Sequence, residues 1–582
     1  MKPYYFYRSF KNIFIIPFLL LSLLGEAQTL SPNLIISSGG TGDDDLSKIT
    51  YDNEGNLYCV AVYGNTPFFN HTVVPTFGSD NIILSKYNSQ GTFLWGKTIV
   101  YGYLIGIHSL SWENGKLLMS GFFRNTLVFR LTQNDIPDSL EYSGSFYDPF
   151  IAEFNEDGTV LNKMSFDYNT VNEITGIKYF GSNILICGTF EDTFCFNQEN
   201  PNSYNTITSA GESDIFVACL DSNFNTLWAK RYGGPSYDYL YAFEIDKENI
   251  YLTGSFVNQM DFNTPSSVSS NVLTSYGHGD IFIANLDKYG HPRWYKRGGS
   301  SSDENFMGES SETGCDLFIN KHGIYLIGAA YDQAHFNGPQ DPSFTIFPSN
   351  TNSLKHFLAL YSLKGTIQWV KELGTEIVFY PPKMDGTDDY LVINESFRNN
   401  LSLYSPYHQD SIRFIPKGYF DHLTRLFDYN GNFIAGASLG SYSNDYVYDL
   451  FTSDQQIFVT GSFKEVCYFN ELTSPQSYLV SNGSYDVFIA RYEVPSFIVD
   501  LGETQNEMLK LFPNPAQNQI TISNCMDQIG LPYILSDATG KEIFRGELSQ
   551  NENIINISDL KQGVYFIKVI SPRSTTLKFV KY

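Results

Sequence analysis

Short apolar runs bounded by turn residues follow one another from about residue 33 to residue 493, and one of them recurs at a fixed spacing. It opens on an acidic residue in its clearest copies: Asp148-Pro149-Phe150-Ile151-Ala152-Glu153-Phe154, Asp214-Ile215-Phe216-Val217-Ala218-Cys219-Leu220, Asp280-Ile281-Phe282-Ile283-Ala284-Asn285-Leu286 and Asp486-Val487-Phe488-Ile489-Ala490-Arg491-Tyr492. Looser copies start at Asn81, Lys355 and Asp421, so the start positions are separated by 67, 66, 66, 75, 66 and 65 residues. A period of this kind marks a fold of repeated units that bury their faces on one another. Each repeat predicts four strands rich in β-branched and aromatic residues. In repeat four they span 240–246, 249–256, 280–286 and 292–297. Gly91, Gly158, Gly290, Gly365 and Gly431 follow the third strand, where a tight turn favours positive φ. Trp95, Trp228, Trp294 and Trp369 are each followed two residues later by Lys97, Lys230, Lys296 and Lys371. Residues two apart share a strand face, which lays each lysine stem along its tryptophan. Paired glycines (Gly39-Gly40, Gly233-Gly234, Gly298-Gly299) lead into the next repeat.

Seven repeats of four strands predict an all-β chain and a seven-bladed β-propeller with four-stranded blades. The seventh repeat runs into Val494-Pro495 without a fourth strand, while residues 33–40 match residues 227–234. The N-terminal strand is therefore expected to complete the last blade, hiding edges that would otherwise invite aggregation. The expected plan is a signal peptide (1–27), the seven-repeat propeller (28–493), a linker (494–507) and a C-terminal secretion or sorting domain (508–582).

Gly39, Gly40, Asp45 and the string Asp52-Asn53-Glu54-Gly55-Asn56-Leu57-Tyr58, with Leu-Thr-Gly-Ser-Phe at 252–256 and Val-Thr-Gly-Ser-Phe at 459–463, resemble the SBBP-type β-propeller repeats of bacterial surface proteins. The resemblance covers most of residues 33–493. It implies a scaffold and transfers no catalytic signature.

Lys2, Arg8 and Lys11 precede an apolar stretch from Ile13 to Leu24, and Gly25-Glu26-Ala27 supplies small residues for a cleavage site. This reads as a secretory signal peptide cleaved between Ala27 and Gln28. The run is too short, and interrupted by Pro17, for the roughly 20 apolar residues of a membrane anchor. At the other end, strands alternate with Pro and Gly turns, enough for a small immunoglobulin-like β-sandwich. Phe512-Pro513-Asn514-Pro515, the turn from Asp537 to Gly540-Lys541, the Gly563-x-Tyr565 strand, and Lys578 and Lys581 near the terminus closely resemble the type A sorting domain of the type IX (Por) secretion system. That resemblance implies passage across the outer membrane by the type IX machinery, removal of the domain, and release of the cargo or its attachment to lipopolysaccharide.

The chain holds 37 bases against 62 acids, a net charge of −25. Loss of Lys2, Arg8, Lys11 and Glu26 with the signal peptide makes it two charges more negative. Such a balance disfavours nucleic acid and anionic lipid as partners. Seven cysteines without a CxxC pair argue against a disulfide framework and for buried thiols, although Cys187 and Cys195 share one repeat and their pairing is open.

Candidate chemistry is sparse. Gly436-Ala437-Ser438-Leu439-Gly440 matches a nucleophile-elbow pattern but falls on a fourth strand with no helix after it. The nine histidines show no metal spacing. Asp43-Asp44-Asp45 offers oxygens for Ca²⁺, but no EF-hand loop is present and a solvated turn is expected. The acid opening each third strand is expected to accept backbone amides rather than to form a functional carboxylate ring. These features lead to an expectation of no catalytic residues, no cofactor, and a noncatalytic surface or secreted scaffold binding an extracellular glycan or protein. Its contacts are expected through a ring face or through the Ser/Thr/Asn/Gly-rich segments before third strands, such as residues 263–279. The alternatives are a secreted polysaccharide-degrading enzyme on the same scaffold and a structural coat component.

Overall fold

In the computed structural model the chain divides into two compact units, Met1–Val494 and Pro495–Tyr582. Residues 29–495 and 510–582 are described, apart from 130–137, 143–146, 167–172, 198–201, 203–204, 263–271, 302–304, 307–308, 311, 332, 337–343, 347–353, 377–380, 407–410, 419, 454, 470–476, 524–529, 539–540, 551 and 570–574. The expected signal peptide, its Ala27/Gln28 cleavage point and Gly540 lie outside the described residues. Among those described there is no α-helix, and the chain is all-β.

The larger unit repeats one antiparallel motif. Repeat four pairs Asp238–Ile245, Asn249–Asp261, Val272–Asp287 and Pro292–Gly298 in sequence order. Repeat three does the same with Glu173–Phe180, Asn183–Cys195, Thr206–Leu220 and Thr226–Tyr232. Repeat five uses Thr313–Asn320, Gly323–Ala330, Lys355–Tyr361 and Ile367–Glu376. Repeat six uses Lys383–Gly386, Tyr390–Phe397, Asp421–Asp428 and Phe433–Gly440. Repeat one pairs Asp44–Tyr51, Leu57–Tyr63, Asp80–Tyr87 and the first half of Phe93–Glu113. The second half of that long strand opens repeat two, which continues with Lys116–Phe129, Asp148–Asn155 and Val160–Ser165. In repeat seven, Tyr446–Ser453, Gln456–Phe469 and Ser477–Glu493 are joined by Pro32–Gly39, which pairs antiparallel with the third strand from Pro32↔Tyr492 to Ser38↔Val487. The first strand of each repeat touches the first strand of the next, and that of repeat seven touches that of repeat one.

Alternation along the third strands explains why they read as unbroken apolar runs. Ile281 and Ile283 of repeat four pack with repeat five, while Phe282, Ala284 and Leu286 on the other face pack with repeat three. Both faces are buried, so both must be apolar. Repeats five and six share a core in the same way, and so do repeats seven and one, where Ile36, Phe451, Val487 and Ile489 meet Ile49, Cys59 and Ile83.

Two expectations need correction here. The segment before the third strand of repeat four is not all loop: residues 272–279 extend the hairpin, with Gln259↔Thr274 and Asp261↔Val272 paired beyond a bulge at Asn258, whose φ is 63°. The reason is that Met260, beyond the bulge, is still buried in the core, so pairing continues while apolar residues remain to be covered. The Asp43-Asp44-Asp45 turn is not simply solvated either. Asp44 is buried and accepts the N–H groups of Gly40 (2.6 Å) and Gly64 (3.2 Å).

The smaller unit has one three-stranded sheet (Lys510–Phe512, Gln519–Ser523, Asn553–Asn556) and one four-stranded sheet (Glu542–Glu547, Pro532–Asp537, Gly563–Val569, Thr575–Lys581). Ile520, Ile522 and Ile555 from the first share a core with Leu535, Ile567 and Phe579 from the second.

Candidate functional site

The first strands of the seven repeats, six of them bulged, line a cavity of about 450 Å³. Its wall is polar in one arc. Asp316, Asp385 and Asp449, from repeats five, six and seven, each accept a backbone N–H from the following repeat: Met384 (3.0 Å), Thr452 (2.6 Å) and Ile49 (3.0 Å). These bonds tie neighbouring first strands, and Asp316 and Asp449 make theirs where a bulge interrupts regular pairing. Lys48 continues the arc in repeat one and donates to the Tyr448 carbonyl at 2.8 Å. Lys178 bonds Glu244 across repeats three and four at 2.5 Å. Burial pushes Asp385 up to about 7 and raises Asp316, and burial brings Lys48 down to about 8. Partly buried tyrosines gather where the first strands of repeats four and seven begin. Tyr237 and Tyr239 stack with centroids 6.2 Å apart, and Tyr446 packs against Tyr448 (6.1 Å) and Tyr485 (5.5 Å).

A second constellation recurs at junctions between repeats. The acid opening the third strand accepts a backbone N–H four residues earlier: Asp214 from Ala210 (2.7 Å), Asp280 from Tyr276 (2.9 Å), Asp421 from Lys417 (2.7 Å) and Asp486 from Asn482 (3.0 Å). An acid at the start of the next first strand makes a matching bond: Asp238 from Gly234 (2.7 Å), Glu312 from Ser300 (2.8 Å), Asp445 from Ser441 (2.6 Å), and Asp44 from Gly40. At two of these junctions the two carboxyls meet across a glycine, and at the other two Gly440 lies against Asp421 and Gly39 against Asp486. A methyl group on Gly233 would lie 2.2 Å from Asp214 Oδ1 and 2.8 Å from Asp238 Oδ2, and one on Gly299 would lie 2.6 Å from Asp280 Oδ1 and 2.7 Å from Glu312 Oε2. All eight acids are buried. Loss of hydration raises every one of them, Asp280 to about 8, Asp44 and Asp445 to about 7, and Asp421 and Asp486 to about 6. Of the first-strand partner acids, Asp44 stands out in the sequence as part of the Asp43-Asp44-Asp45 run, whereas Asp238, Glu312 and Asp445 do not.

The sequence candidates fall as follows. Ser438 is buried within the strand Phe433–Gly440, without the turn and helix of a nucleophile elbow. Cys187 and Cys195 lie eight residues apart on one strand, about 26 Å at a strand's rise, and are free thiols, as are Cys59, Cys219, Cys315 and Cys467. Among the described residues no group of three or more His, Cys, Asp or Glu side chains is arranged to hold a metal.

In the smaller unit, Asn514 stitches the Phe512-Pro513-Asn514-Pro515 segment to the last strand, donating to the Lys578 carbonyl (3.0 Å) and accepting the Val580 N–H (2.9 Å). Asp537 accepts the Lys541 N–H at 3.1 Å and closes its turn. Gly563 opens its strand opposite Lys581. Tyr565 donates to the Lys561 carbonyl (2.7 Å) and stacks on Phe579. Lys578 is exposed, whereas Lys581 is buried along its stem.

No curated protein matches the chain. Similar solved structures include the phage phi92 endosialidase (10% identity, 80% of this chain and 70% of that one, TM-score 0.28). Others are PorZ, a surface component of the type-IX secretion system of Porphyromonas gingivalis (10%, 95% and 100%, TM-score 0.17), and apo AztD from Citrobacter koseri (8%, 79% and 100%, TM-score 0.26). At these TM-scores the likenesses carry no functional argument. No helix among the described residues is long and apolar enough to cross a membrane. Residues 510–581 match the secretion system C-terminal sorting domain, and the protein is one that is exported to the cell surface or secreted.

Proposed function

We propose that the larger unit is a closed seven-bladed β-propeller built from SBBP-type repeats, carried outside the cell by an N-terminal signal peptide and an immunoglobulin-like sorting domain. There it serves as a noncatalytic scaffold that binds an extracellular glycan. The cyclic order of first-strand contacts around one polar cavity supports the ring. The observation that carries the binding reading is the presence, on the same first strands that line the cavity, of partly buried tyrosines at their starts, Tyr237 stacked on Tyr239 and Tyr446 tilted against Tyr485. Aromatic faces beside hydrogen-bonding groups suit a sugar ring, which presents C–H faces and hydroxyl edges.

The test is a panel of immobilised extracellular polysaccharides probed with the full chain, its Tyr239→Ala and Tyr485→Ala variants, and a reducing-sugar assay on every ligand retained. Retention lost in both variants, with no sugar released, is the expected result. Retention unchanged by both substitutions moves binding away from this face, and turnover abolished by a single carboxylate substitution replaces the scaffold with an enzyme.

A further inference from the structure

The junction carboxyls do something that simple capping does not require. Capping a turn takes one oxygen of each carboxyl, and the second is then free to face solvent. Here it does not: Asp214 Oδ1, Asp238 Oδ1, Asp280 Oδ1, Asp445 Oδ1 and Asp486 Oδ1 are all buried without a hydrogen-bond donor. An ionised oxygen stranded in this way is among the least favourable arrangements in a protein interior. Two such carboxyls facing one another at a junction would add like-charge repulsion. A single proton relieves both penalties, because the protonated partner becomes a donor. We infer that these junctions each hold one proton between two carboxyls, and that this proton clamps neighbouring repeats together and is released as the surroundings turn alkaline.

The neighbours decide which partner keeps the proton. Asp214 faces the Arg231 guanidinium at 2.8 Å and is the carboxylate, leaving Asp238 as the acid that donates to it. Glu312 takes three donors, the N–H and hydroxyl of Ser300 and the Tyr331 N–H, and is the carboxylate opposite Asp280, with Arg297 the nearby cation. At the junction of repeats six and seven, Asp421 accepts two backbone N–H groups and feels Lys417. Asp445 is the acid there, with the buried Cys467 thiol and the backbone of Lys464 beside it. Where repeat seven meets repeat one, Asp486 is held by both nitrogens of Asn482. Asp44 is the acid, and Asp43 is the nearest further charge.

The sign of the effect is fixed. Each acid binds its proton more tightly folded than unfolded, so the stabilisation is complete below the ordinary carboxyl value and is lost as pH rises through about 6 to 8. Calorimetry of the full chain, following the transition of the larger unit from about pH 6 to about pH 8.5, tests this. The expected result is an unfolding midpoint that falls by several degrees over that interval. Asp238→Asn and Asp445→Asn, which mimic the neutral acid at two separate junctions, should each flatten part of the fall and be no less stable than the parent at the alkaline end. Infrared spectroscopy at neutral pH should show the carbonyl stretch of a protonated carboxyl, diminished in either variant. A flat parent profile, or variants lowered equally at every pH, overturns the inference. So does an alkaline midpoint restored by Ca²⁺ in the parent but not in the variants, which would place a cation where the proton is assigned.

Discussion

Gly365 carries two constraints at once, a φ of 78° and the indole of Trp294, which a methyl group would meet at 2.5 Å. Gly290 repeats this with a φ of 76° and Trp228 at 2.9 Å. The tryptophan of one repeat thus rests on the turn glycine of the next, while its lysine reaches back over the ring, Lys371 lying 5.3 Å from the centroid of Trp369. Leu34 stands in the tryptophan's place in the N-terminal strand and meets Gly91. Gly365→Ala is expected to cost about 1–3 kcal/mol, from left-handed strain and displacement of the indole. A urea unfolding curve measures it, and a loss below about 0.5 kcal/mol would mean the turn adapts freely. The acidic limb of stability rests on different carboxyls. The Thr159 hydroxyl and the Asn225 side-chain amide hold Asp157 and Asp221 below the ordinary value. Their contribution is present above that value and lost as pH falls through the lowered one, so stability is expected to pass through a maximum near the ordinary carboxyl value, about pH 4.

Repeats five and six depart from the pattern at three positions that touch one another. Strand register places Glu395 where Gly254 and Gly461 stand in repeats four and seven, and Arg425 where Ala284 and Ala490 stand. His356 of repeat five takes the place of Ile281. The three form a buried cluster in which Glu395 pairs with Arg425 and meets His356 Nδ1 at 2.8 Å, while Arg425 donates to the Leu373 carbonyl at 2.9 Å. Burial lowers Arg425 to about 9 and His356 to about 3, so the imidazole is neutral. Glu395→Ala strands a buried guanidinium and is expected to cost about 3–5 kcal/mol. The triple change Glu395→Gly, Arg425→Ala, His356→Ile restores the pattern of the other repeats and is expected to be neutral or stabilising. Denaturation of both variants decides whether the cluster matters for stability at all.

The repeat signals that sequence reading caught are short strings: the third-strand acid, the turn glycine and the Trp-x-Lys strand are each recognisable within a few residues, whatever they touch in the fold. The junction pairs were not legible because their two members belong to different repeats, Asp214 with Asp238 and Asp44 with Asp486. The cavity arc of Asp316, Asp385 and Asp449 was missed because its members come from three different repeats, and because Asp316 and Asp449 sit at bulges, where alternation no longer says which way a side chain points. Repeat six read simply as a weak copy, since a compensated buried cluster looks like divergence until its members are seen together.

For the whole molecule, export and the completion of repeat seven depend on opposite ends. A chain ending before Met508 lacks the sorting domain and is expected to accumulate inside the envelope. Fractionation of the native cells, with the full chain as control, checks this. Deleting residues 29–40 exposes the third strand of repeat seven, Ser477–Glu493, along the edge now paired with Pro32–Gly39. That variant is expected to self-associate through the bare edge, seen as a shift to larger species in size-exclusion chromatography.

The pairing of Pro32–Gly39 with Ser477–Glu493 also sets a timetable. Asn33 and Glu493, which bond at 2.5 Å, are 460 residues apart in the chain. The early strand must therefore wait for the last strand of the larger unit before it has that partner. Repeats one to six can pair as their own strands become available, whereas repeat seven is complete only once Ser477–Glu493 is present, so its fourth strand registers that the whole of the larger unit has been made.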